Sequence, residues 1–235
     1  MTVSINPINS ASDIQNIDKV LIANRGAIAC RIMRTLVAMG KQSVAIYAED
    51  DIDSQHIDLA DEAYSLGDGL VAETYLNQQK ILNIAMASGA KAIHPGYGFL
   101  SENAGFEQRC EELGIAFLGP TGNQINVFGL KHSARKLALE NSVPMLPGSP
   151  LLPDLAGAKF FAKQIGYPLM LKSTAGGGGI GMRICRSDEE LELAFDAVQQ
   201  LAVNNFGNGG LFLERYVEVA RHVEVQVIGD GAGSV

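Results

Sequence analysis

The chain has 235 residues, 47% of them hydrophobic, and a formal net charge of -8; its mean hydropathy is +0.11. That length can bury one large core or two small ones, and a pI near 5.0 argues against a nucleic-acid or anionic-membrane surface, which needs clustered Lys and Arg. The three cysteines, Cys30, Cys110 and Cys185, are odd in number, far apart and not at metal spacing with histidines, which favours free thiols in a reducing, cytoplasmic setting over a disulfide framework.

Residues 1–17, with Asn, Ser, Pro and Asp and no basic apolar run, read as a disordered leader and not as a signal peptide or membrane span. From there, short apolar runs alternate with amphipathic stretches at βα spacing. Lys19–Ala23 is a strand, Ala27–Met39 a helix ended by Gly40, and Ser43–Tyr47 the next strand. A helix from Gln79 to Ser88 closed by Gly89, a short strand at Ala92-Ile93, a helix from Phe106 to Leu113 closed by Gly114, and a strand at Ile115–Leu118 follow. This succession predicts a parallel sheet with helices on both faces. The pattern changes near Gly119-Pro120-Thr121: two helical segments separated near Gly129 lead to the Pro-rich run Val143–Pro150, which reads as a linker with a domain boundary in it or just before it. A helix over Leu155–Ile165, a strand ending at Lys172, a second strand at Met182–Cys185, a helix from Asp188 to about Val203, and strands at Leu211–Arg215 and His222–Ile228 complete the expectation.

Between the two strands of the hairpin lie four consecutive glycines, Gly176–Gly179. Without Cβ atoms they let backbone N–H groups converge on an anion, while Lys172 supplies a point charge. The order is wrong for a P-loop, whose lysine follows the glycines, and for a dinucleotide fingerprint, which opens a helix. Strand, glycine loop, strand reads as a flap over a nucleotide, with a ligand-free surface hairpin as the alternative. Glu214, at a strand end before Tyr216 and Val217, could accept hydrogen bonds from a base or ribose; a solvated strand-end charge explains the spacing too. His222, Glu224 and Gln226 share one face of a period-2 stretch, which fits a site or a wet sheet face.

Ile22–Gly26, the block His94–Asn103, Gly119-Pro120, Lys131, Gly166-Tyr167-Pro168, Lys172 with its glycine loop, Glu214 and Arg221–Gln226 occur in the order and approximate spacing of the biotin carboxylases. The chain is similar to this ATP-grasp family from about Asp18 onward. The resemblance implies an α/β fold: a Rossmann-like parallel-sheet N-terminal domain over 18–120, a helical connection and linker over 121–150, and over 151–235 the lid of an ATP-grasp domain with the start of its core. It implies ATP contacts at Lys131, Lys172, Gly178, Gly179, Glu214, Arg215, Tyr216, Val217 and His222, with Tyr97 and Gly98 towards the biotin and bicarbonate side. In the family's reaction ATP phosphorylates bicarbonate, and the CO2 released from carboxyphosphate is captured by N1 of biotin on a carrier domain. The partners implied are therefore ATP with Mg2+ or Mn2+, bicarbonate and a biotinylated carrier, in a homodimer or a multidomain carboxylase.

Ala27 stands where the family often has Glu, Ile180 where it commonly has Arg, and Leu130 where it commonly has Asp. The last two, with Phe128–His132 and Lys172–Gly176, resemble the urea carboxylase branch, so urea is the expected carboxyl acceptor. An acyl-CoA carboxylase and a non-catalytic nucleotide-binding fragment are the alternatives. The family runs on for about as many residues again, and its magnesium-binding glutamates, bicarbonate arginine and general base would lie past Val235. No catalytic residue or metal ligand is then expected here, and the 235-residue chain alone is expected to be inactive.

Overall fold

The structure, a computed structural model, describes residues 17–129, 131–174, 181–206, 209–223 and 225–229. Contacts separate a first compact unit, up to Ile125 and again from Gln226, from a second running from Asn126 to Val225.

In the first unit β1 (Lys19–Ile22), β2 (Gln42–Tyr47), β3 (Glu62–Ser65), β4 (Ala92–His94) and β5 (Ala116–Phe117) form a parallel sheet in the order β3-β2-β1-β4-β5. Its helices are α1 (Gly26–Ala38), the single turn α2 (Gln55–Asp58), α3 (Gln78–Ser88) and α4 (Ala104–Glu112). The pleat sorts the strand residues: Val20, Ile22, Ala45 and Ala92 pack on Ala29, Ile32, Met33 and Leu36 of α1, while Leu21, Ala23, Val44, Ile46 and Ile93 pack on Ile81, Leu82 and Ala85 of α3 and Phe106 and Cys110 of α4. With both faces covered, a central strand buries successive residues on either side, which is why Val20–Ala23 is apolar without alternation. The Asn103 side chain caps α4 by accepting from Phe106 N at 2.8 Å, and Gly89, at φ +72°, closes α3.

In the second unit α6 (Lys131–Glu140) follows α5 (Gly122–Gly129), the helix in which the division falls. The antiparallel sheet β7-β6-β8 comprises β6 (Leu169–Ser173), β7 (Met182–Cys185) and β8 (Leu211–Arg215). α7 (Leu155–Ile165) and α8 (Asp188–Phe206) cover one face, where Ala158, Ala162, Leu191, Phe195 and Val198 enclose Leu169, Leu171, Leu211 and Leu213. The strand, glycine connection and strand are thus a hairpin as expected, although Gly176–Gly179, Ile180 and Leu130 lie outside the described residues, as do residues 1–16 of the leader.

Three expectations differ from the structure. β3 is absent from the sequence reading because Glu62-Ala-Tyr-Ser65 has no β-branched residue and occupies a sheet edge, where burial imposes little pattern. The run Val143–Pro150 is more than a linker: Ser149 N donates to Leu213 O at 2.8 Å and Arg215 N to Pro147 O at 2.8 Å, so the run covers an edge of β8. The strand expected at His222–Ile228 is not formed over its described residues, where Val223, Val225, Val227 and Ile228 are exposed. Period-2 alternation makes a strand only where a neighbour accepts its ladder, and none pairs with this stretch among the described residues.

Candidate functional site

The register of the second unit's sheet sets the site. On β6, Leu169, Leu171 and Ser173 face the core, so Lys172 must face away from it. On β8 Leu211 and Leu213 are buried and Glu214 takes the other face. Met170 is opposite Glu214 and Lys172 opposite Phe212, making Lys172 and Glu214 a diagonal cross-strand pair within reach of long side chains. Lys172 Nζ accordingly donates to Glu214 Oε2.

The other oxygen of the same carboxylate, Oε1, is held by Arg135 Nη1. Arg135 and Lys131 stand four residues apart on α6 and so share a helix face. Arg135 Nη2 also donates to Leu146 O at 3.1 Å, tying the guanidinium to the Pro-rich run. At neighbouring Gly148 an added Cβ would run into Arg135 and lie 2.8 Å from Leu213 O, so glycine there makes room for the guanidinium. Burial and the positive charge of Lys172 hold the Lys131 ammonium below its ordinary pKa, with Glu214 compensating only in part.

One carboxylate thus sits among three cations in a partly buried cluster; the Arg135, Glu214 and Lys172 side chains are 16%, 17% and 24% exposed. The excess positive charge is a physical demand for an anion, and a polyphosphate meets it. Two buried polar atoms beside the lysines in sequence, His132 Nδ1 and Thr174 Oγ1, have no hydrogen-bond partner among the described residues.

Of the other expected contacts, Tyr216 follows Glu214 and donates its N–H to Pro168 O at 3.0 Å. Val217 and His222 are exposed. Arg215 points elsewhere: its Nη1 donates to Ile165 O at 2.6 Å and Gly166 O at 3.0 Å, binding the carbonyls that end α7. Gly178 and Gly179 lie outside the described residues. Among the described residues no group of three His, Cys, Asp or Glu side chains could hold a metal ion, and no helix is long and apolar enough to cross a membrane. Cys30, Cys110 and Cys185 are buried and free.

Tyr97 and Gly98 belong to the first unit. Chain order reverses between β1 and β4, the switch point at whose carboxyl edge open α/β sheets bind ligands. Asn24, 4% exposed, lies at that edge and donates its Nδ2 to Pro95 O and Tyr97 O, both at 2.8 Å. Gly96 N donates to His94 Nδ1 at 3.0 Å, and burial followed by the Arg31 charge pushes the His94 pKa down, leaving a neutral ring that can accept there. Phe99, at φ +42°, stacks on Tyr75 with ring centroids 5.1 Å apart. Tyr75 donates to Asp51 Oδ2 at 2.7 Å, and Arg25 pairs with Asp51 at 2.9 Å. Burial would raise the Asp51 pKa, but the hydrogen bonds from Tyr75 and Arg25 outweigh it and hold the carboxyl below its ordinary value. The loop that presents Tyr97, itself 67% exposed, is therefore fixed at several points.

Lys131, Lys172 and Glu214, singled out in the sequence, share the second unit's cluster, which Arg135 joins without having been singled out; nor were Asp51 and Tyr75 of the first unit. Only Arg135 left a signal, its i,i+4 spacing from Lys131.

If Lys131 meets an anion, its lowered pKa has a consequence. Affinity for ADP should hold at neutral pH, where the ammonium is charged, and decline on the alkaline side before an ordinary lysine would titrate. Lys131→Arg, which stays charged, should abolish the decline. Measuring the ADP Kd against pH for both proteins checks this, and identical alkaline profiles would refute it.

Residues 16–125 match the family model of the biotin carboxylase N-terminal domain, and residues 131–235 that of the carbamoyl-phosphate synthase L chain ATP binding domain. Urea amidolyase of Saccharomyces cerevisiae is 50% identical over 216 residues, 92% of this chain and 12% of that protein. A biotin carboxylase of Halalkalibacterium halodurans is 50% identical over 218 residues, 92% of this chain and 48% of that protein. Among solved structures, the biotin carboxylase domain dimer of the Hydrogenobacter thermophilus 2-oxoglutarate carboxylase, in complex with MgADP, ADP and bicarbonate, matches with a TM-score of 0.81 and 48% identity over 86% of this chain and 44% of that one. The chain spans less than half the length of each of these relatives.

Proposed function

The chain belongs to the biotin carboxylase family, and from that premise we propose that it is the N-terminal part of a biotin-dependent carboxylase, working in the ATP-dependent carboxylation of biotin with bicarbonate. The observation that carries this reading is the Glu214 carboxylate among Lys131, Arg135 and Lys172 beside the glycine hairpin. Lys131 and Lys172 hold the phosphates of ATP, and Glu214 with Tyr216, Val217 and His222 receives its nucleoside end. Phosphoryl transfer asks the protein mainly for positioning and charge stabilisation, which two partly desolvated lysines supply. The glycines let the hairpin close over the phosphates and exclude water. Tyr97 and Gly98 face bicarbonate and biotin, the latter on a carrier domain.

Among the described residues no group of three His, Cys, Asp or Glu side chains could hold the divalent cation that accompanies ATP. In domain terms, 18–120 is the pre-ATP-grasp domain, 121–150 a connection, and 151–235 the lid with the beginning of the ATP-grasp core.

Urea is the proposed carboxyl acceptor. Its support is the pattern Phe128–His132 with Lys172–Gly176; overall identity does not separate the branches, since a urea amidolyase and a biotin carboxylase are both 50% identical. The test uses the full-length gene product. Urea should accelerate phosphate release from ATP and bicarbonate, and acetyl-CoA and propionyl-CoA should not. Acceleration by a CoA ester and none by urea would move the acceptor to the acyl-CoA class.

A further inference from the structure

Glu214 carries two cations that do different work. Lys172 lies on the strand that leads into the glycine hairpin, whereas Arg135 is anchored elsewhere, to Leu146 O at 3.1 Å, in the space that Gly148 leaves open. Each takes its own carboxylate oxygen, Arg135 on Oε1 and Lys172 on Oε2. If Lys172 is to reach a nucleotide phosphate, it must give up Oε2, and a carboxylate that is only 17% exposed would then lose its partner. An unpaired charge at that depth is strongly unfavourable. Arg135 removes the difficulty because its bond to Oε1 is independent of Lys172.

We infer that Arg135 is a positioning residue of the nucleotide site: it keeps the Glu214 carboxylate paired and oriented, so that Lys172 is free to exchange Glu214 Oε2 for a nucleotide phosphate. The inference rests on the nucleotide reading above and adds to it a residue that touches no ligand. Arg135 acts wholly through Glu214 and Lys172. Without it, Glu214 retains Lys172 as its one ion-pair partner among the described residues, and the phosphate must compete against a stronger ion pair. With Glu214 neutralised there is no charge to strand, and Arg135 has nothing left to do.

That dependence gives a double-mutant cycle in the full-length protein, with ADP as the probe and calorimetry as the measurement. Arg135→Gln should weaken ADP binding by about tenfold or more, the scale of one charge-assisted hydrogen bond. In a Glu214→Gln background the same change should have almost no effect. A merely structural arginine would weaken binding equally in both backgrounds, and that result overturns the inference. If Arg135→Gln does not fold, Arg135→Lys takes its place in the cycle. Its single ammonium keeps the charge but loses the fork that spans Glu214 and Leu146 O, so a smaller loss, again vanishing with Glu214→Gln, is expected. Failure of the wild-type protein to bind ADP would overturn the nucleotide reading itself, whereas wild-type binding with additive effects would overturn the role of Arg135 alone.

Discussion

Lys172→Ala in the full-length protein weakens ATP and ADP binding by about 30- to 1,000-fold, the equivalent of about 2–4 kcal/mol for a partly desolvated charged contact. The fold should survive, for two reasons visible in the structure. Lys172 is on the sheet face away from Leu169 and Leu171 and outside the core that α7 and α8 cover, and Glu214 keeps Arg135 as a partner. Calorimetric titration with ADP measures the affinity, and a thermal melt checks the fold. An unchanged Kd in a normally folded variant would mean that the lysine serves only the ion pair.

The second large effect is on stability and belongs to Asn24. Its buried side chain satisfies the carbonyls of Pro95 and Tyr97 and accepts from Arg25 N at 2.9 Å. Asn24→Ala leaves two carbonyls of the loop without their donor, at about 1–3 kcal/mol each and less than additively. A loss of about 2–4 kcal/mol in denaturant unfolding of the first unit is expected, together with faster amide exchange around Tyr97 and Gly98. The loop packs tightly on this amide, since a Cβ at Gly96 would lie 2.8 Å from Asn24 Nδ2. A change below about 0.5 kcal/mol, the range of ordinary surface substitutions, would show that the loop holds itself.

What the sequence made legible follows from burial. Strands covered on both faces carry unbroken apolar runs, Val20–Ala23 in one and Val44–Ile46 in the next, and the helices between them end at glycines; both signals are local. β3 escaped because an edge strand of Glu, Ala, Tyr and Ser carries no burial pattern. The stretch from His222 misled for the opposite reason: it alternates well, but alternation says nothing of a neighbour to pair with. The site divides in the same way. Lys172 stood out by the glycine run that follows it, whereas Glu214, at a strand end, also read as a solvated charge and was singled out by the family resemblance. Their meeting depends on the antiparallel register of β6 and β8, which pairs positions 42 residues apart. Arg135 required the path of α6 as well, and the loop network of Asp51, Tyr75 and Phe99 joins three separate connections of the sheet.

If Lys131 and Lys172 hold nucleotide phosphates, ATP must shield both amines from chemical labelling in the full-length protein. Brief acetylation followed by mass spectrometry, with and without ATP, should show Lys131 and Lys172 protected by the nucleotide. Lys136, on the same helix as Lys131 with its side chain 79% exposed, should be labelled equally in both. Equal labelling of Lys131 and Lys172 with and without saturating ATP would mean that neither lysine meets the phosphates.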